Sequence, residues 1–163
     1  PCAIDQDPYF RVLRDVAPKL KAPKPVIIHS TFMPSLNGCQ EKMSSSDPTS
    51  AIFLTDSVKR IRKKIGGAFS GGRETVEEHR ELGGVPEVDV AFRYLTFFME
   101  DEEELSEVED SYRSGKMLSG ELKKIAINLI TNIVNNHQRE RKKITHDIIV
   151  HHLLHTTKPP TPA

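Results

Sequence analysis

Gln40-Glu41-Lys42-Met43-Ser44-Ser45-Ser46-Asp47 packs one ammonium and three hydroxyls into its five central residues. Backbone N–H groups, serine hydroxyls and a lysine can face an anion together, so the segment suits a triphosphate. Asp47-Pro48 predicts a helix start, with Asp47 as N-cap and Pro48 at the first helical position. The pentad Lys42 to Ser46 also fits an ordinary Ser-rich loop before a helix. Its flanks therefore decide the fold.

On the N-terminal side, Ala3-Ile4 reads as the end of a strand. Asp7-Pro8 starts a helix that runs to about Leu20, with Phe10, Leu13, Val16 and Ala17 on one face. Pro23 and Pro25 bracket a break, and Val26-Ile27-Ile28 reads as a short buried strand. Strand, helix, strand in that order predicts the end of a parallel α/β sheet. Pro34, Asn37 and Gly38 then mark a loop into the Lys42 segment. Pro1 to Ile4 reads as an interior strand entered partway, which predicts a piece of a longer chain.

On the C-terminal side the pattern is helical. Asp56 is expected to cap a helix with Val58, Ile61 and Ile65 inside and Lys59, Arg60, Arg62, Lys63 and Lys64 around them. Gly66-Gly67 and Gly71-Gly72 flank a loop containing Ala68-Phe69-Ser70. Thr75 to Leu82 forms a short polar helix. Val88 to Met99 forms an apolar one with Phe92, Leu95, Phe98 and Met99 as core candidates. Glu100 to Asp110 holds eight acidic residues. Ser119 caps a last long helix. The units are therefore 1–55, an α/β part carrying the Lys42 segment; 56–155, a helical part; and 156–163, a flexible Pro/Thr-rich tail.

Composition sets mild bounds. The chain has 163 residues with 23 basic and 23 acidic side chains, so any nucleic-acid contact must come from a local patch. Cys2 and Cys39 fit no metal or disulfide spacing, which predicts a reducing, cytoplasmic setting. No apolar run approaches membrane length and none reads as a signal peptide, so no membrane partner is expected. His146, His151, His152 and His155 lack an acidic or Cys partner. They read as an exposed helix end, with metal binding as the minor alternative. His29 fits a hydrogen-bonded structural role at least as well as an acid–base one.

The chain resembles the tryptophanyl-tRNA synthetases of eukaryotic type, from near the end of their catalytic domain onward. The resemblance rests on Ala3 through Arg11, His29-Ser30-Thr31-Phe32, Lys42 through Pro48, and Ala68-Phe69-Ser70-Gly71-Gly72-Arg73, with Tyr94 through Phe98 in support. It covers about residues 1–155. The Lys42 segment is similar to the KMSKS loop of class I synthetases, with Ser45 where a second lysine is usual. That substitution places more of the phosphate compensation on Lys42 and backbone donors. The family's HIGH motif and indole pocket belong to a part not contained here. Glu74 stands where the family more often has Asp.

The resemblance implies the C-terminal end of a Rossmann-type catalytic domain followed by an α-helical anticodon-binding domain. It implies ATP-dependent ligation of tryptophan to tRNA(Trp) through a tryptophanyl-adenylate, by a cytoplasmic enzyme acting as a homodimer. Magnesium would be held by the ATP phosphates. Lys42 would stabilise the leaving pyrophosphate. Ala3, Asp5, Met43, Ser44, Ser45 and Ser46 would lie along ATP, Gln6 would contact tryptophan, and Arg73 and Glu74 would meet the anticodon. The residues themselves keep a second reading open, because Asp5 or Asp7 also fits a plain helix N-cap and Glu74 a favourable helix-dipole charge. The basic run at 59–64 fits either RNA proximity or a solvated face. His29-Ser30-Thr31-Phe32 would supply backbone contacts to adenine. Two rivals remain at this stage: a tyrosyl-tRNA synthetase, and a non-catalytic RNA- or protein-binding fragment, inactive alone without the HIGH-motif half.

Overall fold

The computed structural model describes residues 1–41, 43, 44 and 46–155. The expectations for Lys42, Ser45 and the 156–163 tail lie outside the described residues. Cys2–Ala3 (β1) and His29–Ser30 (β2) pair in parallel, Cys2 against His29 and Ala3 against Ser30. Between them run a 3₁₀ turn at Ile4–Gln6, helix α1 at Asp7–Val16, and a 3₁₀ turn at Ala17–Leu20. A helical crossover is what a parallel pair requires. The expected strand–helix–strand order is thus present.

Two details differ. The second strand lies at 29–30, after Val26-Ile27-Ile28, and Val26 and Ile28 are 90% and 70% exposed. Hydrophobicity marked residues to be covered, but nothing among the described residues covers them. The long helix also tightens into a 3₁₀ turn at Ala17, because Pro18 has no N–H to continue an α-helical ladder.

The second unit is built from α2 (Val58–Gly66), α3 (Val76–Leu82), α4 (Val90–Phe98), α5 (Glu102–Arg113) and α6 (Ser119–Arg141), followed by α7 (His146–His155). Helix α6 packs against α2, α4 and α5. Its buried stripe is Leu122, Ala126, Ile130 and Val134, spaced by four residues. Ile61 and Ile65 of α2, Val90, Ala91, Phe92 and Leu95 of α4, and Val108 and Tyr112 of α5 join it in one core. Phe92 and Leu95 are buried as expected, whereas Phe98 and Met99 are only half-buried at its edge.

Three expected caps are displaced. Ser57, not Asp56, caps α2 by accepting from the Arg60 N–H. The Asp56 side chain is buried and pairs with Lys64 at 2.6 Å. Leu118, not Ser119, is the N-cap of α6, and the Glu121 carboxylate accepts from its N–H at 2.8 Å. Asp7 is the first residue of α1 and caps nothing; Gln6 stands at the cap without a side-chain bond. The ends of α2 and α6 are tied to neighbouring segments. Lys123 donates to the carbonyls of Gly66 and Ala68 at 3.0 and 2.7 Å, satisfying groups at and just past the end of α2. Gln138 donates to those of Leu54 and Asp56 at 2.9 and 3.0 Å, which fixes the entry to α2.

Candidate functional site

Ser44 and residues 46–50 fold around one buried hydroxyl. Ser50 is 1% exposed; its Oγ accepts from the Ser44 N–H at 3.0 Å and lies within hydrogen-bond distance of the Ser44 and Asp47 carbonyls at 3.0 and 2.8 Å. The Ser44 and Ser46 hydroxyls bond each other at 2.8 Å. No helix starts at Asp47-Pro48. The Asp47 carboxylate is instead taken up by its own loop, accepting from the Thr49 hydroxyl at 2.6 Å and the Thr49 N–H at 2.9 Å. The Thr49 hydroxyl, then that N–H, hold the Asp47 carboxyl below the usual carboxylate range. Leu36 N–H donates to the Ser50 carbonyl at 2.9 Å, and Phe69 N–H to the Leu36 carbonyl at 3.0 Å. The segment is therefore hydrogen-bonded both to the 35–38 turn and to the helical unit.

The structure brings Asp5 and Met43 to one cavity of about 390 Å³, lined also by Phe32, Met33, Pro34, Cys39, Gln40 and Glu41. Thus the β1 end and the Lys42 segment, almost 40 residues apart in sequence, share a wall. The cavity opens beside the carboxyl end of the parallel pair, where α/β folds receive ligands. Asp5 and Gln6 are exposed in the 3₁₀ turn after β1. Ala3, Gln6, Ser44 and Ser46 do not line this cavity. His29 sits 3.0 Å from the Asp7 carboxylate, which also pairs with Arg11 at 2.5 Å. Its place is at the base of α1, in a structural contact. Burial pushes the Cys39 thiol up, against a smaller opposing effect of Arg93.

Arg73 and Glu74 lie together on a second cavity of about 350 Å³ between the start of α3 and the start of α6. The Arg73 Nε donates to the Gly83 carbonyl at 3.0 Å, which anchors the guanidinium at one edge. The preceding glycines do not leave open space. A Cβ on Gly71 would stand 2.1 Å from the Val85 carbonyl oxygen, and one on Gly72 would stand 2.1 Å from Ser119 Oγ. Close packing within the protein, rather than room for a ligand, accounts for both.

Under this loop sits a group that sequence reasoning missed. Asp89 is fully buried. Its Oδ2 accepts from Ser70 Oγ at 3.0 Å, Gly71 N–H at 2.8 Å and Tyr112 O–H at 2.9 Å, while Oδ1 caps α4 through Phe92 N–H at 3.2 Å. Burial pushes the Tyr112 phenol up to about 12, so it stays a donor. The ring lies 5.2 Å from that of buried His79. The sequence reading placed Asp89 inside a helix from Val88, whereas α4 starts at Val90 with Asp89 as its N-cap.

Among the described residues no group of three or more His, Cys, Asp or Glu is placed to hold a metal, and no helix is long and apolar enough to cross a membrane. Lys64, counted with the basic face of α2, turns inward: it pairs with Asp56, donates to the Ala51 carbonyl at 2.8 Å and stands 4.5 Å from the Phe53 ring centroid.

A cavity at a parallel strand end, lined by Asp5 and Met43 and joined to a helical unit, is consistent with a class I synthetase. The family of tRNA synthetases class I (W and Y) matches residues 3–135, and the chain belongs to it. Within it, the similarity lies with the tryptophanyl-tRNA synthetases of eukaryotic type. The chain is 56% identical over 150 residues to the cytoplasmic tryptophan–tRNA ligase of Homo sapiens, covering 91% of this chain and 32% of that protein. Against the one from Saccharomyces cerevisiae it is 53% identical over 150 residues, covering 91% and 35%. The structure is similar to tryptophanyl-tRNA synthetase from Giardia lamblia with a TM-score of 0.86 and 45% identity, covering 90% of this chain and 37% of that one. It is also similar to the tryptophanyl-tRNA synthetase homolog from Entamoeba histolytica, with a TM-score of 0.89 and 31% identity, covering 95% and 41%. The chain spans about a third of the length of the curated relatives it matches. The fold is accordingly a mostly helical α/β piece of a class I synthetase.

Proposed function

We propose that the protein containing this chain ligates tryptophan to tRNA(Trp) in the cytoplasm, as a homodimer. The observation that carries this is the cavity shared by Asp5 and the Lys42 segment, in a chain similar over 91% of its length to tryptophan–tRNA ligases. In this reading residues 1–55 close a Rossmann-type catalytic domain, and 56–155 form an anticodon-binding domain. The rest of the catalytic domain would cover Val26 and Ile28. The decisive test is tryptophan-dependent ATP–pyrophosphate exchange and charging of tRNA(Trp) by the full-length protein. Exchange with tyrosine instead would turn the reading to the tyrosyl branch.

The substrate is MgATP, its metal carried by the phosphates. Asp5 and Glu41, the two carboxylates on the cavity wall, suit outer contacts better than a cage. A tryptophan carboxylate oxygen attacks the α-phosphorus, the bond to the β-phosphate breaks, and pyrophosphate leaves. A ribose hydroxyl of tRNA then attacks the activated carbonyl, and AMP leaves. No covalent enzyme intermediate is required. The chain's part is positioning and charge compensation. Lys42 neutralises the leaving pyrophosphate, aided by donors at Met43, Ser44, Ser45 and Ser46. Asp5 and Ala3 lie along the ribose, and Gln6 binds tryptophan.

Gln6→Ala is expected to raise KM for tryptophan with a smaller effect on ATP. An amide paired with a charged ligand group contributes roughly 1.5–3 kcal/mol. Gln6 makes no side-chain bond as cap of α1, so its loss should not disturb the helix. Equal changes in KM for both substrates would assign Gln6 to the architecture instead.

Arg73 and Glu74 are proposed to meet an unpaired anticodon base, Arg73 by stacking or donating and Glu74 by accepting from a base amino group. Arg73→Ala is expected to raise KM for tRNA and to spare ATP–pyrophosphate exchange. Because Nε also holds the Gly83 carbonyl, an unfolding measurement belongs beside the kinetics. A drop in exchange parallel to charging would make Arg73 a strut of the loop and not a reader of RNA.

A further inference from the structure

A basic cleft between residues 36–55 and α2 lies apart from the two cavities described above. It has a volume of about 470 Å³ and is framed by Pro48 and Thr49 on one side and by Arg60 and Lys63 of α2 on the other. Two properties set it apart. Its one carboxylate, Asp56, is already neutralised by Lys64 at 2.6 Å. Arg60 and Lys63 are both exposed, and their side chains make no ion pair or hydrogen bond among the described residues. The i, i+3 spacing sets these two cations on one helix face. The cleft therefore carries two uncompensated positive charges at its edge. Leu36, Phe53 and Ala68 supply apolar wall, and Asn37 and Thr55 supply polar groups.

We propose that this cleft binds one unpaired nucleotide of RNA, with its phosphate between Arg60 and Lys63 and its base against the apolar wall. The volume falls in the range that encloses a small ligand, roughly 300–1,000 Å³. An apolar platform accepts any base face, and a guanidinium beside an ammonium matches a backbone phosphate. An acidic peptide would use the cations but leave the wall unexplained. The cleft abuts Pro48-Thr49, the end of the Lys42 segment, so RNA held here lies beside the phosphate-binding loop. The inference rests on the reading that tRNA is a substrate, and it adds a contact separate from Arg73 and Glu74.

The test uses the full-length protein and measures tRNA binding against salt. Each lost phosphate contact lowers the slope of log K on log salt by about 1. The double variant Arg60→Gln/Lys63→Gln removes the one phosphate contact the two cations share, so it should lower the slope by about 1 and weaken binding at low salt. Arg62→Gln removes one of the same helix's charges outside the cleft lining and should lower it by less than Lys63→Gln alone. Equal effects of Arg62→Gln and Lys63→Gln would overturn the site, leaving only a diffuse basic face. A parallel fall in ATP–pyrophosphate exchange would also overturn it, because the cleft would then serve ATP. Inorganic polyphosphate competing as well as a short single-stranded RNA of equal charge would reduce it to an anion site and sink the nucleotide. Wild-type protein that binds and charges no tRNA would defeat the substrate reading itself, a result distinct from wild-type charging with an unchanged slope in the double variant.

Discussion

Lys42→Ala in the full-length protein is expected to slow formation of tryptophanyl-adenylate by about 10²–10³-fold, the loss typical of one electrostatic donor to a developing charge. Tryptophan affinity should change little. In the proposed reaction the ammonium would answer charge that grows on pyrophosphate as the bond to the α-phosphorus breaks, so its contribution would belong to the transition state. The residues flanking it in sequence are anchored: Glu41 N–H donates to the Gly38 carbonyl at 3.2 Å, and Ser44 N–H to Ser50 Oγ at 3.0 Å. With Ser45 in place of a second lysine, no neighbouring ammonium of the pentad can substitute. Single-turnover formation of the adenylate is the measurement. An unchanged rate with a raised KM for ATP would make Lys42 a ground-state binder of the triphosphate.

How much of this was legible in the sequence divides along physical lines. Helices with strong apolar periodicity were placed within a few residues, because their buried stripes are set by packing on α6. The short helix from Thr75 was readable, and Thr75 itself proves to be its cap, accepting from the Glu78 N–H. Asp56 was not, because Lys64, one long side chain away in space, takes its carboxylate into the interior. The Asp47-Pro48 helix start failed for a related reason: the carboxylate bonds Thr49 two residues on, and the turn closes on Ser50 before a helix can nucleate. Val26 to Ile28 has the composition of a buried strand, but burial needs a covering layer that these residues do not supply themselves. At the site, the motif pointed to Asp5 and the Lys42 segment separately. Their meeting on one cavity depends on the turn at 35–38, which carries no periodic signal. The inward turn of Lys64 and the open pair Arg60 and Lys63 could not be separated within one basic run.

Asp89→Ala is expected to cost the helical unit roughly 3–5 kcal/mol. Its carboxylate is the common acceptor for two buried or half-buried hydroxyls and two backbone N–H groups drawn from three segments, the 70–71 loop, α4 and α5. Removal strands the Gly71 and Phe92 N–H groups, and each buried donor without an acceptor costs about 1–3 kcal/mol. Asp89→Asn keeps one oxygen for Phe92 or for the Gly71 cluster and should lose about half as much. Native-state amide exchange of α4 and α6 reads the opening free energy of this unit alone, even within a larger protein. The same change should raise KM for tRNA, because Ser70 and Gly71 set the path of the chain into Arg73. Undiminished exchange protection in Asp89→Ala would show that Tyr112, Ser119 and Ser70 can close the network among themselves. In that case the carboxylate would have no structural task, and its burial beneath the Arg73 loop would have to be explained by the RNA.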